Sequence, residues 1–271
     1  MKSLLTRATL ALALTASVAA PAAAHRQWML PSATVLSGQD PWITVDAAVS
    51  NDLFYFEHVA MRLDGLAVLN PDGSAGVAEN QATGKYRSTF DVHLTQPGTY
   101  KVAVAGAGLF ANWEENGQRK RWRGTADSFA KEVPANAEKL QVTENARRLE
   151  FFVTAGKPTD TVLKPTGKGL ELSPVTHPND LFAGEKASFK LVLDGKPASD
   201  VEVTIIPGGI RYRNDLGEMK VKTDKEGAFS VTWPNPGMYW LTAQAEDKKT
   251  SVPQATKRSA SYTATFEVLA Q

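Results

Sequence analysis

Cysteine is missing from all 271 residues, and histidine occurs only four times. Without thiols there are no disulfide staples, no thiolate metal ligands, no cysteine nucleophile and no cysteine-borne lipid anchor. An excess of charge is missing as well. The chain sets 30 Lys and Arg against 29 Asp and Glu, a balance that lacks the basic footprint of a nucleic-acid-binding protein. Long apolar runs are also missing: Ala8 to Ala20 is interrupted by Thr9, Thr15 and Ser17 and falls short of the roughly 20 residues that span a bilayer. Helical periodicity is scarce. Short alternating segments broken by turns rich in Gly and Pro take its place, which points to an all-β chain. No Ser-His-Asp arrangement and no glycine-rich phosphate loop can be found, so an enzyme is the weaker expectation.

What is present begins with that short apolar run. Lys2 and Arg7 precede it, and Pro21 and the small-residue ending Ala22-Ala23-Ala24 follow it, the order of a secretory signal cut after Ala24. Residues 1–24 are therefore expected to be a signal peptide, and the exported chain to be soluble in a bacterial periplasm. The cut takes the formal charge from +1 to −1 and makes His25 the new terminus. A terminal histidine offers one metal ion both its α-amine and its ring Nδ1. That amine, with an ordinary pKa of about 7.7–8.0, is easier to deprotonate than a lysine, which suits copper or nickel.

The strongest organisational signal is an internal repeat. Phe90-x-Val92-x-Leu94-x-x-Pro97-Gly98-x-Tyr100 returns as Phe229-x-Val231-x-Trp233-x-x-Pro236-Gly237-x-Tyr239: a strand, a Pro-Gly turn and a returning strand. A matching entry lies upstream of each copy, Leu36-x-Gly38-Gln39 before Trp42 to Val45 and Phe182-x-Gly184-Glu185 before Phe189 to Leu193. Two tandem immunoglobulin-like β-sandwich domains are expected, over 25–155 and 170–271, with 156–169 as a Pro-, Gly- and Lys-rich linker. His25 to Leu36 reads as an opening strand and Leu53 to Leu63 as an aromatic-rich one. The stretch 106–148 reads as a polar insertion with a short helix near Thr125 to Lys131. It holds Trp113 and Trp122, either anchors or a stacking surface, and the basic cluster Arg119-Lys120-Arg121-x-Arg123, read as solvated loop in preference to a contact for phosphate or an acidic partner.

Beyond His25, three histidines remain as ligands. His93 lies two residues from Asp91, so both side chains share one strand face, an imidazole and carboxylate pair that suits a borderline metal. His58 follows Glu57, and neighbours on a strand point oppositely, so only one of those two can join a given site. His177 precedes Pro178 at the start of the second domain and reads as a turn residue.

The start His25-x-x-Trp28-x-x-Pro31, then Leu170-Glu171-Leu172-Ser173-Pro174-x-x-His177-Pro178, Leu193-Asp194-Gly195-Lys196-Pro197 and the Asp224 to Gly227 turn together resemble an uncharacterised periplasmic family, domain of unknown function 4198. Its members are described as the periplasmic component of cobalt and nickel uptake systems. The more usual start in that family has two histidines, whereas this chain has only His25. The terminal histidine, the sparse histidine set and the resemblance together point to a non-enzymatic carrier that assists uptake of nickel, cobalt or copper, the metal held by His25 with His58 or His93 and with Asp91. Two other classes stand beside it: a histidine-brace copper enzyme using the same first ligands, and an adaptor that docks a membrane transporter or outer-membrane receptor without metal.

Overall fold

The computed structural model describes residues 25–271; the expected signal peptide and its cut lie outside the described residues. In chain order the strands are β1 (Arg26–Pro31), β2 (Val35–Leu36), β3 (Trp42–Ser50), β4 (Val59–Ala60), β5 (Leu66–Leu69), β6 (Ala75–Gly76), β7 (Glu79–Thr83), β8 (Ser88–His93), β9 (Gly98–Glu115), β10 (Gln118–Gly124) and β11 (Glu138–Ala155), with helix α1 (Ala126–Glu132) between the last two. The second half adds β12 (Leu170–Pro174), β13 (Lys186–Leu193), β14 (Lys196–Pro197), β15 (Glu202–Pro207), β16 (Met219–Lys222), β17 (Ala228–Thr232), β18 (Gly237–Asp247) and β19 (Lys257–Val268). Short 3-10 turns lie at Thr161–Leu163 and Ile210–Tyr212.

The fold is all-β, two immunoglobulin-like sandwiches in tandem, and the two share a wall. β1, β3, β4, β7 and β8 form the small sheet of the first sandwich, and β12, β13, β14 and β17 that of the second. Between them runs one ten-stranded sheet, ordered β16-β15-β18-β19-β11-β9-β5-β6, with β2 on β11 and β10 on β9. Its seam is the parallel pairing of β11 with β19, from Thr143 opposite Lys257 to Phe151 opposite Thr265. Alternation along a strand decides which core each residue enters. Val102, Val104, Leu149 and Phe151 join the first core, while Phe152, Tyr262, Ala264 and Phe266 join the second. The cores thus lie on opposite faces of one continuous sheet, which is why Phe151, Phe152 and Val153 in the inner half of β11 are apolar in succession.

Segment 156–169 is packed, not free. Val162 and Leu163 are buried in the second core, and the Glu171 carboxylate accepts the backbone N–H groups of Thr166, Gly167 and Lys168 at 2.9, 2.8 and 3.1 Å. A run of hydrogen bonds crosses the junction nearby. Thr99 Oγ1 lies 2.9 Å from Thr154 Oγ1, which donates to Asn179 Oδ1 at 2.9 Å, and Asn179 Nδ2 donates to the Phe152 carbonyl at 2.9 Å.

The repeat is structural in both copies, with one difference from a hairpin. β8 and β9 lie in different sheets, as do β17 and β18, because both strands of each pair send their apolar residues into one core from opposite sides. A tyrosine pins each crossing. Tyr100 Oη accepts the Gln96 N–H at 2.6 Å and donates to the Gln96 carbonyl at 3.0 Å; Tyr239 does the same with Asn235 at 3.3 and 2.7 Å. The glycine that follows each proline sits at a positive φ, +130° for Gly98 and +139° for Gly237, a conformation that side chains disfavour.

The opening strand is two pieces. β1 joins the small sheet and β2 the shared sheet, the switch following Pro31, which has no N–H to continue a ladder. The polar stretch 106–148 consists of the outer halves of β9 and β11 with β10 and α1. One face carries a small core of Leu109, Ala111, Trp113, Val133 and Val142, with Trp122 and Phe129 packed on it. Both tryptophans therefore serve as anchors.

Candidate metal centre

β3 assembles the site. β1 pairs along one edge of it, with Arg26 opposite Ser50, and β4 along the other, with Val59 opposite Val49. The residues just ahead of β1 and β4, His25 and His58, therefore flank the same end of β3. Their backbones stand two strand spacings apart, about 9.6 Å, which two imidazoles can close. The rings stack with centroids 3.7 Å apart and an 18° angle between their planes, and both side chains are exposed.

The strand expected over Leu53 to Leu63 is mostly a loop, and the loop is what delivers His58. Phe54 takes φ +64°, outside any extended conformation. The Glu57 carboxylate turns back to accept the N–H groups of Asn51 and Asp52 at 2.7 and 2.9 Å. Ser50 Oγ accepts the Trp28 indole N–H at 2.8 Å and donates to the Asp52 carbonyl at 2.6 Å. Leu53 is fully buried among Trp28, Ala48, Ile206, Ile210 and Trp240, a burial that stabilises the loop by about 2 kcal/mol. On the other side Arg26 donates to the Asn51 carbonyl at 2.7 Å, and the Trp240 indole donates to the Gln27 carbonyl at 2.9 Å. Both histidines thus project from backbone that is fixed by hydrogen bonds and packing. The sequence signal for this was the Ser50-x-Asp52 and Glu57 polar framing, which an aromatic alternation count passes over.

The chemistry of this pair is limited and definite. Imidazole lone pairs lie in the ring plane, so stacked rings hold a common ion only after turning edge-on. Among the described residues neither ring is engaged by a hydrogen bond, and that turn breaks none. Glu57 caps the loop through Oε1 and does not gather with the two rings as a third ligand. Among the described residues no group of three His, Cys, Asp or Glu side chains comes together to hold a metal. A third donor beside the two rings would be the α-amine of His25, were the chain cut before it.

His93 and Asp91 are not part of this site. Trp42, the partner of His93, and Ser50, the partner of Arg26, lie at opposite ends of β3, roughly 26 Å apart at the rise of a strand. His93 and Asp91 share a face, as expected, yet each has its own partners. His93 stacks on Trp42 at 4.2 Å and contacts Asp40 through Nε2. Asp91 accepts from Thr44 and Asn80 at 2.7 and 2.8 Å, bonds that hold its carboxyl below the usual range. His177 lies at the junction of the sandwiches, with Nδ1 accepting the Asn179 N–H at 3.1 Å and Nε2 3.0 Å from Thr99 Oγ1.

A family model described as Domain of unknown function (DUF4198) matches residues 22–247, most of the chain and all of this site. The chain belongs to DUF4198. No curated protein matches this DUF4198 chain. Among solved structures it is similar to the D0-D1 domain of intimin, with 16% identity over 88% of this chain and 96% of that one and a TM-score of 0.22. It is also similar to the fibronectin(III)-like modules of Clostridium thermocellum CbhA, with 11% identity over 89% and 94% and a TM-score of 0.22. The chicken CNTN1 FN1-FN3 domains share 8% identity over 89% and 97%, with a TM-score of 0.24. None of these likenesses carries a functional argument.

Proposed function

We propose that this DUF4198 protein is a periplasmic carrier that binds a divalent transition metal, nickel, cobalt or copper, and assists its uptake. The observation that carries the reading is the stacking of His25 on His58, two exposed imidazoles brought together from either edge of β3. With the signal removed, the His25 amine and ring and the His58 ring supply three nitrogens, a donor set that suits these metals and favours copper on affinity alone. The ion would be cargo, and the protein's part is to hold two rings and an amine within reach of it.

Titration of the exported, processed protein with Ni, Co, Cu and Zn near neutral pH tests the reading. Micromolar or tighter binding is expected, with at least tenfold loss in His25→Ala and in His58→Ala and none in His93→Ala or Asp91→Ala. Absence of binding, or binding indifferent to His58, overturns it. The exposure of both rings also leaves coordination positions open, which favours one second reading, a histidine-brace copper enzyme. Oxygen consumption by the copper-loaded protein with an added reductant would separate enzyme from carrier.

A further inference from the structure

We infer that β10 is a docking edge for an extended, acidic segment of a partner protein. β10 pairs with β9 along one side only, from Gln118 opposite Glu115 to Gly124 opposite Leu109. Among the described residues no strand lies along its other side. Such an edge leaves a row of backbone N–H and C=O groups open to a further strand.

The side chains state which strand it would take. Arg119, Arg121 and Arg123 alternate along β10, all exposed, so they form a row on one face at intervals of about 6.8 Å. Their direction is fixed by the opposite face, where Trp122 packs edge-on against Phe129 at 5.4 Å and donates to Glu132 at 2.7 Å. Among the described residues none of the three arginines lies within ion-pair distance of a carboxylate. The acid directly across from Arg119, Glu114, is held by Lys139 at 2.6 Å, and Lys120 takes Glu115 at 3.7 Å. Three neighbouring guanidinium groups in one row repel one another, and carboxylates at every second position of an added strand would relieve that repulsion. The same row opposes pairing with a second copy of this edge, which would set arginine against arginine.

An unpaired backbone edge is of use to a polypeptide, which adds as a strand and registers its side chains at the same two-residue period. A lipid headgroup or a polyanion would use the charge and leave the edge idle. This distinction selects the partner class and sets the test.

The probe is a labelled short peptide with glutamate at every second position and threonine between, added to the full processed chain and followed by fluorescence anisotropy at low and at physiological salt. Binding is expected, weakened at least tenfold by the triple change Arg119→Glu, Arg121→Glu, Arg123→Glu. A loss of similar size is expected when alternate amides of the peptide are N-methylated in the phase whose N–H groups face β10, and little loss in the other phase. Circular dichroism checks that the triple variant is folded, and the milder triple change to glutamine replaces it if it is not. The proposal is overturned if the peptide does not bind, or if N-methylation leaves its affinity unchanged in both phases. It is equally overturned if phosphatidylglycerol vesicles bind more tightly than the peptide and lose that binding in the triple variant, since the row then serves a membrane surface.

Discussion

Replacing Tyr239 with phenylalanine keeps a ring that is 1% exposed and deletes only the hydroxyl that donates to the Asn235 carbonyl and accepts the Asn235 N–H. Loss of a hydrogen bond of this kind costs about 0.5–1.5 kcal/mol, and leaving the partly buried turn unsatisfied adds about 1 more. The sum is about 2 kcal/mol. A unit of 150 to 250 residues loses about 2–4 °C per kcal/mol, so the melting point should fall by about 4–8 °C. Tyr100→Phe removes the same pair of bonds from the first sandwich and should cost a similar amount. The informative part is which transition moves. Because β11 and β19 pair continuously from Thr143 to Phe151, neither sandwich can unfold without stripping one face and one edge of its neighbour's wall. Scanning calorimetry should therefore show one endotherm, displaced whole by either substitution. Two endotherms, with Tyr100→Phe moving one and Tyr239→Phe the other, would refute the shared-wall reasoning.

Three further outcomes follow from the geometry. Glu57→Ala removes the carboxylate that gathers the Asn51 and Asp52 amides while leaving both histidines, so metal affinity should fall several-fold in calorimetric titration. Trp240→Phe deletes the bond to the Gln27 carbonyl and should weaken the same affinity from the second sandwich, about two- to threefold, with the melting point lowered by a few degrees at most. Burial holds the imidazole of His177 below its usual range, so just below about pH 6.5 the unfolded chain binds a proton that the folded chain refuses. Stability is then complete above that pH and declines beneath it, levelling off once the folded His177 also protonates; urea midpoints across that range should show the decline, and His177→Asn should flatten it.

Much of the fold was legible because alternation and turn chemistry are local. The two Phe-to-Tyr motifs predict their own strands, their Pro-Gly corners and their core faces, and Thr125 to Lys131 predicts a helix at the place where α1 forms. The shared wall was not legible, since no local pattern tells β11 that its neighbour will be β19, more than a hundred residues later. The only trace was the short apolar run Phe151-Phe152-Val153, which a strand needs when both of its faces are buried. The insertion was misjudged for a related reason. With apolar residues on one face and Arg, Asn, Gln and Thr on the other, β9, β10 and β11 beyond the main cores have the composition of a loop and the period of a sheet.

The site shows the same division. Imidazole and amine chemistry could be read from His25 itself, but its partner was a matter of register. His58 and His93 both border β3, and only the pairings of Arg26 with Ser50 and of Trp42 with His93 put one at the near end and the other at the far end. The loop that carries His58 is in turn seated on Ile206, Ile210 and Trp240, residues of the second sandwich. A site built from the first sandwich alone would have His25 fixed by β1 and His58 on an unseated loop. The second sandwich therefore acts on the proposed metal through packing, which gives a physical reason for a tandem pair where one sandwich holds both imidazoles.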